Sequence, residues 1–362
     1  MIALDLFAGA GGTTQGLLHA GIRVLAAVEQ DEDAAATFSK NHPGTVVLAE
    51  DVVEVCPKSL RLDLGLEHGE LTLLTACPPC QSFSTLGSRT PDDERNGLVT
   101  EIWRFAQEFW PAAVLIENVP GLARDSQWTM LKNQLSAAGY CLGSWRVDAT
   151  DFGVPQRRRR FIAMAVRRRL VEFPDDIRDL LPLSFTLDAA HAGDVISQAG
   201  PIEGSEDELH RARIPTPAVL ERIRAIPDGG SRYDLPEALQ LPCHKRLEQR
   251  GKRGAASPYG RIPPEGPAPT MTTRCTSVSC GRFIHPSEDR GISLREAALL
   301  QTFPRDYTFV GSYGSIERQI GNAVPVRLAH ALGLAVRTLL DHELEMQLRQ
   351  DPPSGDTGHN QE

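Results

Sequence analysis

A chain of 362 residues, 41% hydrophobic and 23% charged, has enough apolar material for a substantial core and enough length for one large and one smaller domain, which excludes a disordered chain. No apolar run approaches the roughly 20 residues needed to span a bilayer, and no basic stretch precedes the opening MIALDLFAGAGG, so a cytoplasmic protein without a secretory signal is expected. A formal net charge of -9 argues mildly against a nucleic-acid partner, and seven irregularly spaced cysteines argue for thiols rather than a disulfide framework.

Short β-branched or aliphatic runs at residues 2–7, 24–28, 45–48, 71–75 and 113–116 predict strands, and amphipathic stretches at 14–20, 32–41, 100–110 and 128–138 predict helices. This alternation is the pattern of an α/β fold, a parallel sheet with helices on both faces. Two further strands are predicted at 140–147 and 161–166, joined by the polar segment 148–160. From about 170 to 290, Pro, Gly, Arg and acidic runs such as 203–208 replace that regularity, and 258–269 is Pro-rich, predicting short strands and loops. Residues 295–302 and 326–348 predict helices, and the last dozen residues predict a disordered tail.

Charge is unevenly distributed. Residues 151–295 carry about 23 Lys plus Arg against about 19 Asp plus Glu, leaving the remainder near -13. The basic residues peak at Arg157, Arg158, Arg159, Arg160, Arg167, Arg168 and Arg169, and again between 245 and 295, where they outnumber acids about ten to four. Such clusters suit phosphate contact; the alternative is ordinary solvated charge on a helix or strand face.

In an open α/β sheet, ligands bind beyond the carboxyl ends of the strands. The residues there are FAGAGG (7–12) after the first strand, Glu29 after the second, Asp51 after the third, CPPCQSFS (77–84) after the fourth and Glu117-Asn118-Val119 after the fifth. Gly9, Gly11 and Gly12 let the backbone pass close to a ligand at a helix start, and Glu29 stands about 20 residues on, where an acid can grip ribose hydroxyls. Thr14 occupies the position where a dinucleotide fingerprint wants glycine, so a nucleoside cofactor without a pyrophosphate fits better than NAD. Asp51 can bond a base edge or an amine, or simply cap a turn.

Cys77-Pro78-Pro79-Cys80 reads as a redox pair, half of a zinc site completed by Cys275 and Cys280, or a proline-braced nucleophile. Two prolines fix φ on both residues before Cys80 and stiffen the turn that presents its thiol, which favours the nucleophile. A helix start or nearby arginines would raise its thiolate fraction. Glu117 follows the apolar run 112–116, where a carboxylate can be partly buried. Arg158 and Arg160, two apart, share one face of an extended segment and can converge on a site or a phosphate.

The set DLFAGAGGTTQGL, PPCQSFS, ENVPGL, QRRRRF, REAALLQTFP and QIGNAVP, in this order, resembles the DNA cytosine-5 methyltransferases. The resemblance spans residues 5 to about 166 and 295 to about 335. It implies a Rossmann-like, S-adenosylmethionine-dependent methyltransferase sheet with a second, smaller target-recognition domain. The catalytic domain would be discontinuous, 1–167 and 291–349, completed by the C-terminal helix returning beside the first strand, with recognition in 168–290 and a tail from 350 to 362. It implies that Phe7, Ala8, Gly9, Gly11, Gly12, Glu29, Asp51, Pro78, Asn322 and Val324 surround S-adenosylmethionine, that Cys80 is the nucleophile, and that Glu117, Arg158 and Arg160 hold the target cytosine. Gln156 would support them; Gln81, Ser84, Gln156 and Arg274 would meet DNA, and the loop 87–97 would close over it. Gln30 stands where relatives often place an aromatic beside the cofactor.

The implied partner is double-stranded DNA, with a restriction endonuclease acting separately, no metal, and a monomeric enzyme of bacterial or phage origin. Because carbon 5 of cytosine is a poor nucleophile, a thiolate must first add at carbon 6, and the base must leave the duplex to be reached. A transfer-RNA cytosine-5 methyltransferase of the same fold would share these motifs. A silent DNA-binding subunit would not need Cys80, Glu117 and Arg158.

Overall fold

Alternating strands and helices build the first half of the chain, and the computed structural model describes residues 1–79, 97–167, 171–249 and 258–350. In order come β1 (Ile2–Leu6), α1 (Gly12–His19), β2 (Arg23–Val28), α2 (Glu32–Asn41), β3 (Val46–Leu48), α3 (Pro57–Asp63), β4 (Leu73–Ala76), α4 (Leu98–Phe109), β5 (Ala113–Asn118), α5 (Ser126–Ala137), β6 (Tyr140–Asp148) and β7 (Arg159–Arg167). Each strand and helix predicted up to residue 167 is present, displaced by a few residues at its ends, whereas the short strands expected between about 170 and 290 are absent among the described residues, which hold short helices and isolated bridges there instead. The helix α3 was not foreseen: it is seven residues long and buries only Pro57 and Leu60, too little for a periodic signal.

The seven strands run in the order β3-β2-β1-β4-β5-β7-β6. From β3 to β5 all neighbours are parallel, but β7 lies antiparallel to both β5 and β6. The sheet is therefore mixed, where the alternation predicts a parallel one. The link from β6 to β7 holds only a single turn of 3₁₀ helix, Ala149–Phe152, too short for a crossover, so the two strands pair as a hairpin. The chain moves outward from β1 through β2 to β3, then returns to β4 on the other side of β1. That reversal leaves a crevice beyond the carboxyl ends of β1 and β4.

The central strands are apolar on both faces because both are covered. Ala3, Leu73, Leu115 and Met164 pack with residues of α1 and of the long C-terminal helix on one face, whereas Leu4, Leu74, Ile116 and Ala163 pack with α4 and α5 on the other. After β7 the helices are α6 (Ala192–Ser197), α7 (Pro217–Arg224), α8 (Pro242–Gln249), α9 (Leu294–Leu300), α10 (Tyr313–Asn322) and α11 (Val326–Gln350). Residues Ala192, Ile262, Ala268 and Met271 share a core with Leu299, Ile316 and Ile320, and a smaller core gathers Ile223, Ile226, Leu235, Tyr259 and Ile284. Between Tyr313 and Asp341 the chain is apolar enough for a bilayer span by composition, unlike the expectation from single runs, but most of that stretch is buried inside the fold.

Candidate active site

A cleft of about 830 Å³ opens at the crevice beyond β1 and β4. Phe7 leaves β1 with φ 58°, a strained left-handed conformation that turns the chain into the glycine loop. Gly9 N donates to Glu29 Oε2 at 2.8 Å, and Asp31 N donates to Glu29 Oε1 at 2.8 Å, so one carboxylate ties the end of β2 to the loop after β1. Burial pushes the Glu29 carboxyl above its ordinary value, the two backbone donors opposing the shift. Each oxygen retains a lone pair for a ligand. Asp51 lines the cleft, and its Oδ1 accepts from Val53 N at 3.1 Å, the turn role left open by its sequence. Gln30 also lines this wall and is exposed.

Gly12 opens α1 where an added Cβ would lie 2.5 Å from the Val324 carbonyl oxygen, so only glycine lets this loop meet the GNAVP segment. Asn322 and Val324 line the cleft there, joined by Ala8 from the loop. Gly11 lies behind the cleft rather than on it, at φ 89°, where an added Cβ would come within 2.7 Å of both His42 Nε2 and the Tyr307 hydroxyl.

The other half of the cleft is built on β4, β5 and β7. Asn118 Nδ2 donates to the Pro78 carbonyl at 3.0 Å, fixing the proline turn to the end of β5, and Val119 N donates to Asn118 Oδ1 at 2.8 Å. Glu117 is buried, and Arg160 Nε lies 2.7 Å from its Oε1, in ion-pair contact but outside hydrogen-bond alignment. Arg158 borders the cleft, yet its guanidinium donates to three backbone carbonyls: Met271 at 2.9 Å, Gly321 at 3.2 Å and Ala323 at 3.0 Å. Gln156 is fully buried away from the cleft, accepting from Met271 N at 2.8 Å and donating to Gln301 Oε1 at 2.9 Å. Arg274 is exposed in a neighbouring recess. Cys80, Gln81, Ser84, all of the loop 87–97 except Gly97, and Arg168 and Arg169 lie outside the described residues.

Residues 1–337 match the family model described as C-5 cytosine-specific DNA methylase. The chain belongs to this family. It is 32% identical to the Type II methylase M.HgiDII of Herpetosiphon aurantiacus over 357 residues, covering 95% of this chain and 97% of the relative. It is 35% identical to the Type II methyltransferase M.Eco47II of Escherichia coli, over 93% of this chain and 79% of the relative. Its fold is similar to that of the Entamoeba histolytica methyltransferase EhMeth, with a TM-score of 0.61 at 15% identity, over 95% of this chain and 98% of that one. The protein is a DNA cytosine-5 methyltransferase, built on a Rossmann-like sheet.

Sequence reading missed several parts of the methylase cleft. Residues 270–273 form its far wall, on a segment without periodicity. Asp5 is fully buried in β1; its Oδ2 accepts from Thr14 Oγ1 at 2.7 Å, Oδ1 has no hydrogen-bond partner among the described residues, and burial pushes its carboxyl up to about 7. A charged residue inside an otherwise apolar strand was the available signal. Tyr307 OH donates to the Ala10 carbonyl at 2.5 Å and lies 3.0 Å from His42 Nε2, bracing the glycine loop from behind. Burial holds His42 down at about 4. Cys77 packs beside the apolar core, with Sγ 3.7 Å from Thr13 Oγ1, and burial raises its thiol well above the ordinary range, with Glu117 and Asp5 adding to the effect. Such a thiol is a poor metal ligand or redox partner. Cys275, which a zinc site would need, is also buried, its thiol 3.8 Å from the Glu317 carbonyl.

Proposed function

We propose that this methylase moves a methyl group from S-adenosylmethionine to carbon 5 of a cytosine flipped out of duplex DNA, through a covalent bond between Cys80 and carbon 6. The observation that carries this reading is one continuous cleft with the Gly9–Glu29 clasp on one side and the Glu117–Arg160 pair on the other. A nucleoside fits the first side: Glu29 has lone pairs for ribose hydroxyls, Asn322 is an exposed amide, and Phe7 offers an apolar face. Bound there, S-adenosylmethionine supplies an electrophilic methyl group.

The chain's own residues do the rest. Pro78 and Pro79, the two residues before Cys80 in the sequence, line the cleft, with Asn118 clamping the Pro78 carbonyl. The Cys80 thiolate adds to carbon 6 while Glu117 engages N3 and the exocyclic amine, absorbing charge that moves into the ring. Arg160 holds Glu117 and faces the same base. Carbon 5 then takes the methyl group, its proton is lost to base, and the electron pair returned to the ring expels Cys80. Arg158 acts as a positioning residue, joining the Met271 segment to the Gly321–Ala323 turn. Flipping is required because neither carbon is reachable in a stacked duplex.

Residues 1–167 with 291–349 form the catalytic unit in this reading, and 168–290 reads sequence in the major groove while phosphate contacts supply most affinity. Relatives named Type II support a modification enzyme acting beside a separate restriction endonuclease, and in this reading the enzyme is monomeric and cytoplasmic. Bisulfite mapping of duplex DNA incubated with enzyme and S-adenosylmethionine tests the reaction: the expected product is 5-methylcytosine at one short recurring site. Methylation confined to transfer RNA would overturn it. Exchanging 168–290 for a relative's segment should move the modified site, and an active chimera that still marks the original site would remove recognition from this segment.

A further inference from the structure

Beside the main cleft lies a second recess of about 360 Å³, lined by Arg213, Thr273, Arg274, Gly314, Glu317 and Arg318. Thr273 and Arg318 also line the main cleft, so the two cavities share a wall. Three arginines reach this recess from three separate segments of the chain. Its one carboxylate is already engaged: Glu317 is buried, its Oε1 accepts from Thr276 N at 2.9 Å and Thr276 Oγ1 at 2.5 Å, and its Oε2 accepts from Arg213 Nη2 at 2.9 Å. Glu317 therefore fixes Arg213, which also lies 4.5 Å above the Tyr313 ring. Arg318 lies 3.4 Å from Asp31 Oδ2 with its side chain 53% exposed, and Arg274 is exposed. Even with Glu317 and Asp31 set against the arginines, the recess keeps a net positive charge. Gly314 belongs to the first turn of α10, whose Ser312 cap marks a helix start, and peptide N–H groups there favour an anion.

The geometry points to a binding site for one DNA phosphodiester in this recess, anchoring the strand whose base enters the main cleft. The inference rests on duplex DNA being the substrate. Open arginine forks match a phosphate's oxygens, and a wall shared with the base-binding cleft suits a linkage near the flipped nucleotide. Phosphate contacts fix register without reading sequence, so this site serves every target equally.

Salt titrations of DNA binding test it. Arg274→Gln and Arg318→Gln should each make the log-log salt slope shallower by about 1, with affinity at fixed moderate salt falling about tenfold. Arg23→Gln, at the exposed amino end of β2, should leave the slope unchanged. Arg274→Gln should bind S-adenosylmethionine as the wild type does. Single neutral methylphosphonate linkages, stepped around the target cytosine, should reveal one position where the wild type loses about tenfold and Arg274→Gln loses nothing further. Unchanged slopes in both variants, or equal losses in wild type and variant at every linkage, would overturn the site. Weaker cofactor binding by Arg274→Gln at an unchanged slope would overturn it too, reassigning the recess to the cofactor's carboxylate. A wild type that methylates no duplex would instead bring down the underlying reading of the substrate.

Discussion

The strand ends and the segment from 171 to 292 satisfy their backbone polar groups by opposite means. At the strand ends, sheet ladders do most of the work and acids or amides finish it: Glu29 collects the N–H groups of Gly9 and Asp31, and Asn118 holds the Pro78 carbonyl. Among the described residues of the later segment the helices are six to eight residues long, and arginines gather the carbonyls that no ladder reaches. Arg261 is buried and donates to the carbonyls of Ile223, Ile226, His285 and Glu288 and to Asp289. Arg282 donates to the Gly229, Gly230 and Arg261 carbonyls, and Arg290 pairs with Glu288 and Glu296. Part of the basic charge that composition assigns to a DNA-facing surface is thus internal scaffolding. Basic clusters should be divided by burial before they are assigned to phosphate.

The largest expected effect tests that scaffolding. Arg261→Met should destabilise the fold by on the order of 3 kcal/mol, because several buried carbonyls lose their donor. Chemical denaturation measures it, and a loss under about 0.5 kcal/mol would show that water or neighbours replace the guanidinium. On the sheet side, Asp5→Asn should stabilise the protein in a pH-dependent way. The Asp5 carboxyl is raised from 3.8 to about 7 in the folded state, so its stability contribution is fully present below pH 3.8 and is lost as pH rises through about 7. The unfolding free-energy advantage of the Asn variant, read by chemical denaturation at each pH, should therefore grow across this window and level off above it, reaching on the order of 2–4 kcal/mol. A difference that stays flat with pH would mean that Asp5 does not titrate there.

A smaller effect separates ligand contact from scaffolding at Glu29. Glu29→Ala should weaken S-adenosylmethionine binding by about 1–3 kcal/mol, and Glu29→Gln, which keeps an acceptor for one backbone donor, by less. Calorimetry on folded variants checks this; unchanged affinity in both would take Glu29 out of the cofactor site. The smallest effect falls on Cys77, which packs without taking part: Cys77→Ala should cost about 1 kcal/mol of stability and little activity in a methylation assay.

The same contrast explains what could be read from sequence. The strands of the sheet were legible because burial on both faces leaves continuous apolar runs, and Phe7, Glu29, Pro78 and Glu117 were legible because such sheets place ligands at strand ends. The antiparallel insertion of β7 between β5 and β6 was not, since alternation says nothing about direction. Helix α10 was hidden because it buries Ser315, Glu317 and Gln319 alongside Ile316 and Ile320. Arg158 could be placed near the cleft, but not its attachment to carbonyls more than 100 residues away in sequence. The His42–Tyr307 brace joins residues 265 apart, and each alone resembles an ordinary buried side chain.

Covalent trapping tests the central claim most directly. A duplex carrying 5-fluorocytosine at the target position blocks loss of the carbon 5 substituent, so an enzyme that has attacked carbon 6 and transferred its methyl group stays attached. Wild type and Cys77→Ala should form this adduct only with S-adenosylmethionine present, and peptide mapping should place it on Cys80. Cys80→Ser should form none while still binding DNA and cofactor, because a serine hydroxyl with no strong base beside it is a far weaker nucleophile. An adduct on Cys77, or equal loss of activity in both variants together with stoichiometric zinc, would contradict the account.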